Sequence, residues 1–210
     1  MAPGFARDWT LAFTLGELVG FIPPAVVGAW LGSTGAGDAA LVAGLTLAGA
    51  GEGAAIGSAQ AYVLRHHGSG IPRGSWIAAT ATGAAVAWFV GMGGAAVMGA
   101  GAPTGVLILL VPAWIAGLCA MGFLQWLVMR PTVPRSGRWV AVSAAAWLVG
   151  VLIPVVAISS APDGWPMAAH VVIAVISAVL MGLAVGAMTG ATMSRLLRRA
   201  VGSADGQTTP

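Results

Sequence analysis

Six long apolar stretches follow one another along the chain, separated by short runs of glycine, serine, proline and aspartate. A bilayer core about 30 Å thick requires roughly 20 apolar residues per helix. The pattern therefore predicts six transmembrane helices, over residues 9–31, 39–64, 75–99, 104–129, 138–159 and 168–197. Because the connections are too short for a soluble domain, we predict a single bundle over residues 1–199. The polar segment 200–210 is predicted to be a disordered cytoplasmic tail.

The composition agrees with a membrane environment. Hydrophobic residues make up 58% of the chain and charged residues only 7%, whereas about a quarter of the residues in soluble domains are charged. The mean hydropathy is +0.92. We therefore predict an all-α integral membrane protein. The first apolar stretch is longer than the hydrophobic region of a signal peptide, so we expect it to remain as a helix.

Basic residues lie on one side of the predicted bundle. All of them are arginines, and they occur before the first helix, after the second and fourth, and at the end of the sixth. The positive-inside bias then predicts that both termini are cytoplasmic. Arg65, Arg130 and Arg198 close the even helices, where they are expected to bind anionic lipid headgroups and set the orientation. Since lipid attraction accounts for the pI near 10.5, we predict no nucleic-acid partner.

An internal repeat links the even helices. They end in "GSAQAYVLR", "GFLQWLVMR" and "GATMSRLLR", with the glycine and the final arginine at the same spacing. The odd helices begin at Trp9, Trp76 and Trp139. The chain is therefore predicted to form three pseudo-repeated parallel hairpins. The tryptophans are predicted to be interface anchors, and Gln60 and Gln125 to be supporting polar residues that hydrogen-bond between helices.

Glycines at four-residue spacing indicate close helix packing, because lipid gives helices no hydrophobic reason to associate. The fourth predicted helix carries Trp114 and Leu118 at the matching positions, so we expect it to stand further from its neighbours. The packing glycines of the second and sixth predicted helices are Gly49, Gly53, Gly57, Gly182, Gly186 and Gly190.

Two carboxylic acids interrupt the apolar pattern, and both lie in the first predicted hairpin. Glu17 and Glu52 are at nearly the same distance from the loop that joins their helices. In the later repeats, the position that matches Glu17 is occupied by Trp88 or Trp147. A charged side chain at mid-membrane costs on the order of 3 kcal/mol, so both acids should face the bundle interior. Close together, they do not both ionise cheaply, and the pair is expected to hold a proton or bind a cation.

The same two residues have a second interpretation, in which each glutamate is a protonated hydrogen-bond donor that joins helices without transport. Other polar residues are less informative. His170, near the outer start of the sixth predicted helix, and Asp163 in the preceding loop are predicted to form an external mouth. His66 and His67 are predicted to be solvated in a cytoplasmic loop.

Motifs for catalysis are missing from the sequence. It contains no H-E-x-x-H, no G-x-S-x-G and no aspartate-rich Mg²⁺ motif. One cysteine, Cys119, excludes an internal disulfide and a cysteine-based metal site. We therefore predict no cofactor and no metal, and enzyme activity is disfavoured but stays open.

The strings "GxxQWLVxR", "RWV" and "WLVG" within residues 122–150 resemble those of a class of small, uncharacterised bacterial multipass membrane proteins. The resemblance extends over the second to sixth predicted helices, and it implies a helical bundle but no activity. The absence of lysine and the alanine, glycine and arginine bias indicate a bacterium with a GC-rich genome, and hence its inner membrane.

Two functions follow from these residues. The first is a small transporter or channel-like protein with a proton or cation site at Glu17 and Glu52. The alternative is a non-catalytic scaffold or partner subunit that docks another membrane protein or a second copy of itself.

Overall fold

The computed structural model describes residues 4–162 and 164–205, and the described chain is helical throughout, with no strand. The helices are α1 (Phe5–Gly20), α2 (Ile22–Ser33), α3 (Asp38–His66), α4 (Arg73–Gly99), α5 (Thr104–Met129), α6 (Arg138–Ser159) and α7 (Met167–Asp205). Six helical segments in this part of the chain are long and apolar enough to cross a membrane, with α1 and α2 counting together as Phe5–Ser33.

The first predicted helix is interrupted, which the hydropathy pattern did not indicate. The break lies at Phe21, and α2 begins with a proline in its first turn. Pro23 and Pro24 lack the N–H that would continue the hydrogen bonds of α1, and their rings clash with carbonyls one turn earlier. Pro112 and Pro154, in contrast, lie inside continuous helices.

The other predicted bounds agree with the structure to within a few residues, except at the C-terminus. There α7 continues to Asp205. Residues 200–205 therefore extend the helix instead of belonging to a disordered tail, and the helix continues through Gly202. Residues 206–210 lie outside the described residues.

The helices form a ring. Around it α1 packs against α3, α3 against α4, α4 against α5, α5 against α6, α6 against α7, and α7 against α1. In the described chain α2 packs only against α1 and α3, so α2 and α7 are not in contact. Four arginines, Arg65, Arg73, Arg130 and Arg138, lie where α3 and α5 end and α4 and α6 begin. We call this the arginine end of the bundle.

Glycines bring the backbones of neighbouring helices together. A Cβ at Gly53 of α3 would come within 2.7 Å of the carbonyl oxygen of Thr80 in α4. A Cβ at Gly186 of α7 would lie 3.0 Å from the Cα of Thr10 in α1. Such short separations leave no room for a side chain. Close helix crossings therefore lie at five of the predicted packing glycines: Gly53, Gly57, Gly182, Gly186 and Gly190.

The expectation that the fourth predicted helix stands further out is wrong. A Cβ at Gly83 of α4 would overlap the backbone of Met121 in α5. On its other side, α5 has Gly122, where a Cβ would lie 2.7 Å from the Cβ of Ser143 in α6. The large residues of α5 do not keep it away, because a glycine on α4 supplies the space.

Burial differs along the bundle axis. We call the part from the arginine end to the level of Glu17 and Glu52 the arginine half, and the remainder the opposite half. Among the described residues the largest fully buried side chains all lie in the arginine half or at its boundary. They are Trp9, Phe13, Glu17, Ile56, Gln60, Leu64, Trp76, Gln125, Met129, Val133, Trp139 and Met193. The tightly packed core of the bundle therefore belongs to the arginine half.

Candidate functional site

Three tryptophans meet at the centre of the arginine half. The ring centroids of Trp9 and Trp76 are 6.1 Å apart, those of Trp9 and Trp139 are 6.2 Å apart, and those of Trp76 and Trp139 are 6.1 Å apart. All three side chains are buried, so their prediction as interface anchors is wrong. Helices α1, α4 and α6 alternate with α3, α5 and α7 around the ring, and their inward faces therefore meet on its axis.

Glutamines from neighbouring helices accept the hydrogen bonds of two of these indoles. Trp76 Nε1 donates to Gln60 Oε1, and Trp139 Nε1 donates to Gln125 Oε1, each at 3.0 Å. Gln125 Nε2 in turn donates to Thr80 Oγ1 at 2.9 Å and to Gln60 Oε1 at 3.3 Å. The structure thus places both glutamines in a buried network that joins α3, α4, α5 and α6.

A threonine accepts the hydrogen bond of the third indole. Trp9 Nε1 donates to Thr189 Oγ1 at 3.0 Å. Thr189 lies one helical turn before Met193, the residue that the sequence alignment pairs with Gln60. The acceptor of Trp9 therefore lies one turn away from the residue that the predicted repeat assigns to this position. The prediction used the equal spacing of the final arginines. These arginines lie at the exposed helix ends, so their spacing does not define the contacts inside the bundle.

The two buried glutamates lie side by side between α1 and α3. Their carboxyl groups are close enough to interact electrostatically. Only 1% of Glu17 and 4% of Glu52 is exposed. The helices approach closely here, since a Cβ at Gly20 would lie 3.0 Å from the Cα of Glu52. The short loop and the glycine together bring the two acids to one level of the bundle.

Trp88 of α4 completes this arrangement. Its Nε1 donates to Glu52 Oε2 at 2.6 Å, a short bond typical of a charged acceptor. The indole lies against Gly49, one turn before Glu52, where any Cβ would overlap the ring. Glu17 Oε2 is buried without a hydrogen-bond partner. One carboxyl group of the pair is therefore well solvated by the protein and the other is not.

The similar strings "ELVG" and "WFVG" match Trp88 to Glu17, but the spacing from the first tryptophan of each helix differs by one turn. Counted from Trp9 and Trp76, the residue that matches Glu17 is Ala84, which is buried. Trp88 occupies the next turn of α4 and contacts Glu52 instead. No signal in the sequence pairs Trp88 with Glu52, because their contact depends on how α3 and α4 cross at Gly49.

A cavity of about 70 Å³ lies beside Glu52, between α3, α4, α5 and α6. Trp88, Trp147 and Met121 contribute to its wall, and the other lining residues are apolar. The residues that line it do not include Glu17, which lies behind Glu52 on the side of α1. Of the acid pair, Glu52 is therefore the member that reaches this space.

The predicted external mouth is not seen as a unit. His170 lies near the start of α7, where its Nδ1 is 3.3 Å from the carbonyl oxygen of Pro166 in the same segment. Asp163 lies outside the described residues. Within the described chain, the structure brings His170 together with its own helix start and not with the acid pair.

Three arginines near the C-terminal ends of α3, α5 and α7 are exposed at the arginine end; they are Arg65, Arg130 and Arg198. Arg130 lies over the ring of Trp126, with 5.5 Å between its guanidinium carbon and the ring centroid. Arg198 donates from Nη1 to Ser194 Oγ at 2.8 Å. Arg65 also lies on this surface. All three side chains are therefore accessible at this end, and their binding of lipid headgroups stays a prediction.

The side chain of His67 is buried, so the prediction that it is solvated is wrong. Only 3% of its side chain is exposed, and its Nε2 lies 3.2 Å from Asp8 Oδ2. Its ring also meets the edge of Phe5 at 5.1 Å. Fifty-nine residues separate His67 from Asp8 in the chain, so the local polar pattern of the loop did not reveal this contact.

In the described part of the chain, no three histidine, cysteine, aspartate or glutamate side chains are grouped so that they hold a metal ion. No protein family model matches the sequence, and no curated protein and no solved structure is similar to it. The geometry of the acid pair is therefore the basis for its proposed chemistry.

Proposed function

We propose that the protein is a small transporter or channel-like membrane protein in which Glu17 and Glu52 bind a proton within the bilayer. The observation that carries this proposal is the pairing of two buried, electrostatically interacting carboxyl groups, one of which lines a cavity. Acidic side chains inside a membrane are expensive and mark ion or proton pathways. The pair combines such residues with a space that a small ligand or water can enter.

A proton fits this site better than a metal cation. Ca²⁺ is coordinated by six to eight oxygen atoms, and Mg²⁺ requires an octahedral set. Apart from Glu52, the side chains that line the cavity contribute no oxygen atom. Two carboxyl groups do not replace a hydration shell, whereas a single proton requires only the two oxygen atoms that share it.

The surroundings of the pair indicate which member holds the proton. Glu52 accepts the N–H of Trp88, and a hydrogen bond to a carboxylate favours its charged form. Glu17 has a buried oxygen atom without any donor, which favours the neutral acid. We therefore assign the proton to Glu17, which donates it to the Glu52 carboxylate. The pair then carries one negative charge.

The membrane arrangement is part of the proposal. We propose three pseudo-repeated hairpins with both termini on the cytoplasmic side of a bacterial inner membrane. The repeat is supported by the way each indole of Trp9, Trp76 and Trp139 donates to a polar residue of a neighbouring helix. The orientation is supported by the exposed arginines, whose expected partners are anionic lipid headgroups.

Proton flux into liposomes tests the proposed function. The purified protein is reconstituted with a pH-sensitive dye inside, and a potassium diffusion potential drives proton entry. We expect Glu17→Gln and Glu52→Gln to lower the flux by about tenfold or more, because neutralising either acid removes the shared proton. Asp38→Asn is the matched control, since Asp38 is an exposed acid at the start of α3, and its flux should equal that of the wild type.

The alternative functions predict other results. If the glutamates only join helices, the glutamine variants lose stability while any flux per folded molecule is unchanged. If the wild type gives no flux and Glu52→Gln is as stable as the wild type, the transport proposal is wrong. A partner subunit that docks another membrane protein or a second copy is then favoured.

A further inference from the structure

The wall of the cavity beside Glu52 combines one carboxylate with two indoles. Trp88 comes from α4 and Trp147 from α6, so the aromatic side chains approach from different helices. Met121, Leu118 and Val151 add polarisable and aliphatic surface. The N–H of Trp88 is already donated to Glu52. The wall therefore offers negative charge and aromatic surface to a ligand, and among the side chains that line it no further strong hydrogen-bond donor.

This chemistry selects one class of ligand. An anion would meet the carboxylate without a donor to bind it, and a sugar or an amino acid would leave most of its polar groups unpaired. A hydrated metal ion would lack oxygen ligands. A cation with apolar substituents, in contrast, is attracted both by the carboxylate and by tryptophan rings, the best partners in cation–π contacts.

We propose that this cavity binds small alkylated ammonium cations, of which tetramethylammonium is the simplest probe. The inference rests on the proposed function, because Glu52 is also the proposed acceptor of the proton. A buried water needs about 10–15 Å³ of space, so a cavity of about 70 Å³ is several times larger than one water. This volume limits the ligand to the smallest cations of the class, for which tetramethylammonium is the probe.

Part of the cavity wall lies at the surface of the protein. Val151 of α6 lines it and is 43% exposed. Beyond this level the described part of α6 contains no buried residue, so nothing in that helix seals the site. A cation that partitions into the bilayer interface from the opposite end can therefore approach Glu52 without crossing the packed tryptophan core.

Cation and proton compete for the same carboxylate. Glu17 faces Glu52 from α1, and Trp88 faces it from α4. The cavity residues of α5 and α6 carry no ionisable side chain; they are Gly117, Leu118, Met121, Trp147 and Val151. Protonation of Glu52 removes the charge that attracts the cation, and a bound cation keeps the proton away. Cation binding should therefore weaken as the pH falls.

Equilibrium dialysis of radiolabelled tetramethylammonium against the purified full-length protein in nanodiscs tests this inference. We expect saturable binding that an excess of unlabelled tetramethylammonium displaces. Trp147→Leu should weaken it by about tenfold, because one aromatic face is lost. Trp147→Phe keeps an aromatic ring and should stay within about threefold of the wild type. Trp30→Leu is the matched control, since Trp30 is 63% exposed on α2, and it should not change binding.

A second arm uses only the wild type and does not depend on the folding of any variant. tert-Butanol has the size of tetramethylammonium but no charge, and it should fail to displace the cation. Equal displacement by tert-butanol, absence of saturable binding, or undiminished binding by Glu52→Gln would each overturn the inference. Proton flux that persists without cation binding would leave the proposed function standing. Flux that is unchanged in both glutamine variants would contradict the proposed function itself.

Discussion

The two halves of the bundle are held together differently. In the arginine half, indoles and amides fill the axis of the ring, and glycines bring the helix backbones into contact. In the opposite half, large apolar side chains such as Trp30, Phe89 and Leu109 are exposed, and α2 and α7 are not in contact.

The difference shows what packs a membrane bundle. Hydrophobicity alone does not hold membrane helices together, because lipid solvates an exposed leucine as well as a neighbouring helix does. Close backbone approach and buried hydrogen bonds occur mainly in the arginine half. The candidate site lies at the boundary between the halves, where Glu17 and Glu52 are buried and a cavity adjoins Glu52. The packed residues hold the two acids in place, and the adjoining cavity leaves room for a ligand.

The largest effect is expected for a tryptophan of the packed core. Trp76→Ala should lower the free energy of unfolding by about 3–5 kcal/mol, because it leaves a large cavity and removes the donor to Gln60. Trp30→Ala makes the same change at an exposed site of the opposite half and should lower it by less than about 1 kcal/mol. Unfolding in mixed micelles measures both. Equal losses would show that the halves do not differ in packing.

A pair of glycines on α4 gives a finer comparison. At Gly83 a new side chain would overlap the backbone of Met121, whereas at Gly91 nothing lies within contact distance. Gly83→Leu should destabilise the bundle by about 1–3 kcal/mol or more. Gly91→Leu should be neutral within about 0.5 kcal/mol. Thermal unfolding followed by circular dichroism distinguishes them, and a Gly91 variant as unstable as the Gly83 variant would contradict the open structure of the opposite half.

The smallest effect isolates one hydrogen bond of the packed half. Thr189→Val keeps the side-chain shape but removes the acceptor of Trp9, and should lower the free energy of unfolding by about 0.6 kcal/mol, typical of such bonds in membranes. Thr46→Val is its control, because Thr46 donates to Val42 of its own helix. If a denaturant titration shows that both variants lower the free energy of unfolding equally, the hydrogen bond of Trp9 contributes nothing measurable.

Much of the fold was predictable because it depends on local properties. The bounds of α5 and α6 follow directly from the apolar stretches, since segment length and helix-breaking loops are read residue by residue. The level of the two glutamates also followed, because it requires only counting along a hairpin. The break at Phe21 was missed, although Pro23 and Pro24 were visible, because the apolar pattern runs through it without interruption.

Contacts between distant residues were less accessible. The tryptophans at the helix starts look like interface anchors, and nothing local tells an indole that faces lipid from one that faces the ring axis. The burial of His67 against Asp8 and the contact of Trp88 with Glu52 depend on how separate helices cross. The predicted repeat pointed to Met193 where Trp9 in fact donates to Thr189, one turn away, for the same reason.

The amino-acid sequence alone determined that the chain consists of six membrane-length helical segments, that its arginines share one side, and that two acids lie at one depth. These features depend on hydropathy and on counting along the chain. Only the tertiary structure decided that three indoles fill the axis, that Trp88 binds Glu52 and that a cavity opens beside it. Side-chain direction is set by helix rotation and crossing, and these depend on glycines and partners that are far apart in the sequence.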